Sequence, residues 1–132
     1  MSRTKLFTED AKLKLPGNSI PVGTTNVEFT SDVMAAPGSS FPSGKNKGEG
    51  TITRTNNDID ATYKGELETA VGKFPWTSRE KSKVDHGNVK GDEEVTIENV
   101  PGFPPRLKIS METEMEDTTM KNEKKVTNIG YR

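Results

Sequence analysis

From Arg106 to Glu116 the chain reads RLKISMETEME. Leu107, Ile109, Met111, Thr113 and Met115 fall on one side of this stretch, and Lys108, Ser110, Glu112, Glu114 and Glu116 on the other. A repeat of two is the repeat of an extended strand, whose successive side chains point to opposite faces. The stretch is therefore expected to be a long strand with one buried face and one wet, acidic face. Met, Glu and Lys also favour helices, but the strict alternation and the Thr residues of this region count against one.

Weaker alternations surround it. Lys5-Leu6-Phe7 opens the chain's apolar pattern, and Ala11, Leu13 and Leu15 alternate with Lys12 and Lys14 before the turn dipeptide Pro16-Gly17. Thr24 to Met34 reads as a strand through Val27, Phe29 and Val33. Glu49–Thr55 and Ile59–Leu67 flank Asn56-Asn57-Asp58, a hairpin turn sequence. Val95 and Ile97 share a face opposite Glu94, Thr96 and Glu98. Pro101-Gly102-Phe103-Pro104-Pro105 forces a rigid turn, and Lys124 to Tyr131 closes the chain as a last strand. Glu66 to Phe74 is expected to form one short helix ended by Pro75, weakened by Gly72. Thr77 to Gly91 is either an exposed loop or an edge hairpin turning at His86-Gly87-Asn88. Ala35 to Gly48 (AAPGSSFPSGKNKG) is the obvious long loop, with Phe41 its one packing residue. Seven to nine short strands with regular turn signals make an all-β antiparallel sandwich or barrel, in one domain over residues 1–132.

Composition enters through the core. Only 29% of the 132 residues are hydrophobic, against about 45–50% with Gly counted in an ordinary domain. The core is therefore expected to be thin, and burial in an oligomer would compensate. A net charge of -1 argues against general or sequence-specific nucleic-acid binding. With no cysteine there is neither a disulfide framework nor a thiolate metal site. MSRTKLFTED lacks the apolar centre of a signal peptide, and no apolar run is long enough for a membrane helix.

The chemical motifs are faint. Gly38 to Asn46 (GSSFPSGKN) resembles a phosphate loop only in outline: five residues separate Gly38 from Gly44, and Asn46 stands where the metal-binding Ser or Thr belongs. His86 is the only histidine, cannot build a metal site alone, and reads as a turn residue. Asn57, Asp58 and Asp60 lack the glycine and distal glutamate of a calcium loop. No nucleophile–base set or carboxylate pair stands out, so no enzyme activity and no cofactor are expected. Phe74 and Trp76 around Pro75 suit a core position better than a stacking platform.

Two stretches carry a resemblance. VEFTSDVMAAPGSSFPSGKNKGEGTITRT sets a long loop between strands, and DEEVTIENV precedes the acidic alternating strand. This order is similar to that of the tail-tube proteins of bacteriophages and contractile injection machines. The resemblance implies a structural subunit of the virion, assembled in the host cytoplasm into homo-oligomeric, hexameric rings with the help of other assembly proteins. It implies that the loop with Phe41, Lys45 and Lys47 contacts a neighbouring subunit. Glu112, Glu114 and Glu116 would line a channel that repels DNA. The alternative expectation is a small β-barrel module that holds an apolar ligand.

Overall fold

A computed structural model describes residues 5–15, 20–116 and 123–131, with side chains described for 5–15 and 20–115. The chain is all-β and antiparallel, with no helix among the described residues. The strands are β1 (Phe7–Lys14), β2 (Gly23–Ala35), β3 (Gly44–Thr55), β4 (Asp58–Thr69), β5 (Gly72–Asp85), β6 (Asn88–Glu98), β7 (Arg106–Glu116) and β8 (Glu123–Tyr131). Each pairs with the next in sequence, and β8 returns to β1 through the register Thr8↔Thr127 to Lys12↔Glu123, which closes the barrel.

Alternation decides what faces inward. On β1 the burial pattern is strictly two-fold, with Phe7, Glu9, Ala11 and Leu13 inside. On β7 Leu107, Ile109, Met111, Thr113 and Met115 are all buried, while Lys108, Glu112 and Glu114 are exposed. The face assignment read from the sequence of this strand therefore holds wherever its side chains are described; the Glu116 side chain lies outside them.

Four expectations are corrected. Glu66–Phe74 is no helix: it is the end of β4, a turn at Ala70-Val71 and the start of β5. Leu67 and Phe74 face each other across that hairpin and both enter the core. Gly72, at φ 141°, supplies the turn conformation, and Thr69 Oγ1 donates to the Gly72 carbonyl. Tertiary burial here outweighs helix propensity. The supposed long loop is short: Ala35 ends β2, residues 36–43 connect, and Gly44 begins β3. The Lys-Asn-Lys alternation puts Asn46 inside and Lys45 and Lys47 outside, while Phe41 is buried at 3% exposure. Thr77–Gly91 is neither a loop nor a sheet edge, since β5 and β6 each have a neighbour on both sides. The strands are also long, up to 14 residues. The expected turn at Pro16-Gly17 lies outside the described residues.

Pro75 sits inside β5 rather than ending a helix. It pairs with Glu66 on β4, just beyond the Trp76↔Ile97 pair that begins the ladder to β6. The N–H that proline lacks is thus not needed on the β6 side.

One end of the barrel is capped. Leu6, Ala36, Phe41 and Val100 are buried there, with Phe103 packed on them. The Phe41 ring lies 5.0 Å from Phe7 and 5.9 Å, edge-on, from Phe103. At the other end Ile20 is buried, and Arg54 donates from Nη1 to its carbonyl and from Nε to that of Asn56.

Candidate functional site: the polar interior of the barrel

A lean sequence fills this barrel by mixing apolar, polar and absent side chains on the inner wall. Glycine supplies the absences. Gly48 and Gly65 are register partners on β3 and β4, and a methyl added at Gly65 would come within 2.8 Å of the Trp76 ring. Gly50 leaves room for Tyr63 in the same way, and Gly91 for Ser82. The rings of Phe29, Tyr63 and Trp76 then meet inside: Phe29 stands edge-on to Trp76 at 5.5 Å and tilted to Tyr63 at 6.0 Å.

Two polar clusters occupy the same interior. In the first, Ser31 Oγ and Asn46 Nδ2 donate to Glu9 Oε2, Asn46 Nδ2 also reaches Ser31 Oγ at 3.1 Å, and Trp76 Nε1 donates to Asn46 Oδ1 at 3.0 Å. In the second, Tyr63 Oη donates to Glu80 Oε1 at 3.2 Å, while Ser82 Oγ and Thr113 Oγ1 donate to Glu80 Oε2 at 2.7 and 2.8 Å. A third carboxylate, Glu93, is buried at 7% exposure and is the direct cross-strand partner of Glu80. Burying ionisable groups is costly unless they are hydrogen-bonded or paired, and apolar residues of similar size are often the more stable choice. Ser78, on β5 between Trp76 and Glu80, is 7% exposed, and its Oγ has no hydrogen-bond partner among the described side chains.

A small space of about 30 Å³ lies against the first cluster, lined by Glu9, Phe29, Asn46, Trp76, Glu93 and Met111 together with Phe7, Phe41, Leu67 and neighbouring aliphatic residues. A space of that size holds on the order of one or two waters. Its composition is that of a ligand pocket in miniature: aromatic and aliphatic walls with a few convergent polar groups. Phe41 forms part of its wall and belongs to the cap.

The outer wall offers a different concavity. A wide, open saddle of about 1280 Å³ runs over β1–β5, lined by Thr24, Asn26, Thr51, Thr62, Thr77 and Ser78 among others. Its charges pair across strands, Lys14 with Glu28 at 3.8 Å and Lys64 with Glu49 at 3.6 Å, all well exposed. Such pairs contribute little, and Tyr63, which borders the saddle, is only 6% exposed.

The residues singled out from sequence are not brought together. Phe41 is a core plug, Lys45 and Lys47 stand on the outside of β3, and Glu112 and Glu114 stand on the outside of β7. Glu112 is aligned with Asp92, and Glu114 with Lys90 on β6 and Lys125 on β8, so the acidic row belongs to a mixed-charge outer wall. The interior carboxylates were missed, although a signal existed. Glu93 has the parity of Val95 and Ile97, and Glu9 that of Phe7 and Ala11, so each continues an apolar face with a charge. Among the described residues no three His, Asp or Glu side chains gather as a metal site, and no helix is long and apolar enough to cross a membrane. No family model, curated protein or solved structure matches the chain.

Proposed function

We propose that the protein is a small-ligand-binding β-barrel, with the ligand held inside the barrel between the Glu9–Asn46–Trp76 cluster and the phenylalanine cap. The observation that carries this reading is the placement of a buried polar cluster on the wall of the one interior space described, beneath the Phe41 cap. A wall built for stability alone would be apolar there. Anything larger than a few atoms has to displace Phe41, which rides on the 36–43 connection rather than on a strand.

The ring-forming tail-tube subunit expected from the resemblance requires strand edges open to neighbours and a loop free to contact them. The ladder here runs through β8 back to β1, and Phe41 packs within its own chain. Those features lend that reading no support, and the barrel module is preferred.

The test uses diphenylhexatriene, a slender neutral polyene whose absorption overlaps tryptophan emission. Trp76 is the only tryptophan, so energy transfer reports binding near it. The reading expects saturable uptake of one probe per folded monomer with quenching of Trp76. Absence of saturable uptake, or uptake that leaves Trp76 emission unchanged, overturns it.

A further inference from the structure

We propose that the capped end of the barrel docks on the surface of a lipid bilayer with zwitterionic headgroups, touching it with the tips of three connections. The proposal rests on the interior-binding reading and names the phase that supplies the apolar ligand.

In an up-and-down barrel, successive connections alternate between the two ends. The β2–β3, β4–β5 and β6–β7 connections therefore share the end that Phe41 closes, and the β3–β4 and β5–β6 turns share the other. In a chain with 30% charged residues, none occurs in 33–44, 69–72 or 99–105. The two turns at the opposite end differ: Asp58 follows Asn57, and Asp85 meets His86 at 2.6 Å.

Exposed apolar side chains gather on the uncharged end. Met34, near the end of β2, is 68% exposed, and Val71, in the β4–β5 turn, is 65% exposed. Phe103, in the proline-rich β6–β7 connection, is half-buried. Val22 is the large exposed hydrophobic residue of the opposite end. Exposed hydrophobic residues scattered singly need no explanation, but several on one uncharged apex mark an interaction surface. These stand on separate connections rather than in a groove, which suits shallow insertion among headgroups.

The charges behind the tips select the kind of bilayer. Asp32, Lys45, Glu68 and Lys73 are successive register partners across β2–β5, and Glu98 is opposite Arg106. All six are exposed, their signs alternate, and Lys73 approaches Glu68 at 3.7 Å. Lys5, exposed ahead of β1, adds one positive charge. This collar is no polybasic patch of the kind that seeks anionic lipid, and it steers neither a strongly acidic nor a strongly basic partner. An uncharged apex above a balanced collar is complementary to a surface that is itself without net charge and apolar just below its headgroups. Docking there brings the Phe41 cap, and the space beneath it, to the lipid side.

Flotation of the full chain with vesicles tests this without any ligand. Phosphatidylcholine vesicles are expected to carry the protein saturably, with association changing less than about twofold when phosphatidylserine is added or salt is raised. Met34→Asp and Val71→Asp are each expected to weaken association several-fold, and together to abolish it, because a charge on an inserted tip is costly. Near-ultraviolet circular dichroism and diphenylhexatriene uptake without vesicles should stay unchanged in these variants. Val22→Asp, at the other end, should leave association as it was. No association with phosphatidylcholine, association that requires phosphatidylserine, or a double variant that still binds overturns the proposal. Self-association that the double variant loses, without vesicle binding, overturns it too and gives the surface to a second copy of the chain. Vesicle association by a protein that takes up no diphenylhexatriene upholds the docking surface and overturns the interior reading alone.

Discussion

Trp76 and Gly65 show how much of this protein is decided one side chain at a time. A ring that large fits a crowded interior only because the opposing positions have no Cβ. Gly65→Ala is expected to destabilise by about 1–3 kcal/mol through overpacking, read as a lower denaturant midpoint with altered Trp76 emission. The same scale governs Ile109 and Glu114, which share β7 but stand on its opposite faces. Ile109, 2% exposed, becomes a buried charge in Ile109→Glu, which is expected to abolish folding. Glu114→Gln, on the outer wall, should leave the midpoint essentially unchanged. Equal damage from the two would contradict the face assignment. This much was legible in the alternation of RLKISMETEME. The glycine notches were not, because Gly65 and the Trp76 that fills its space meet only after the β4–β5 hairpin forms.

At the scale of the element, turns succeeded and connections failed. Asn56-Asn57 does turn β3 into β4, with Asn56 at φ 55°, and His86-Gly87 turns β5 into β6 with His86 at φ 50°. Asn tolerates this left-handed conformation and β-branched residues do not. Asn56→Val is therefore expected to cost about 1–2 kcal/mol, measurable by thermal or denaturant unfolding. The helix expected at Glu66–Phe74 failed because propensity is local, whereas Leu67 and Phe74 are called inward by the barrel. The loop expected over Ala35–Gly48 shrank because a run of Gly, Ser and Lys hides the parity of Asn46. Phe41 sits in what remains of it. Phe41→Ala is expected to destabilise by about 3–5 kcal/mol if the cavity does not collapse. In the folded fraction it should accelerate uptake of a neutral probe, which stopped-flow quenching of Trp76 would measure.

For the whole molecule, closure answers the problem posed by a chain that is only 29% hydrophobic. A barrel removes strand edges without recruiting a partner, and it fills its interior with hydrogen-bonded polar clusters and glycine notches where aliphatic bulk is lacking. Cutting the chain after Glu116 would remove β8 and leave β1 and β7 each with one open edge, since β2 and β6 still pair with them on the other side. The truncated protein is expected to aggregate or unfold, by light scattering and circular dichroism, under conditions where the full chain does neither. The alternating strands, and hence the all-β antiparallel class, were written in the sequence. The choice of an interior site was not, because Glu9, Asn46, Trp76 and Glu93 converge only when four separate strands curl round one space. The methionines offer the most direct check on that site: Met111 lines it, while Met34 is exposed at 68%. With methyl-labelled methionine, titration of the full chain with diphenylhexatriene should shift the Met111 resonance and leave Met34 in place. An unmoved Met111 under saturating ligand, with changes confined to the outer wall, would contradict the account.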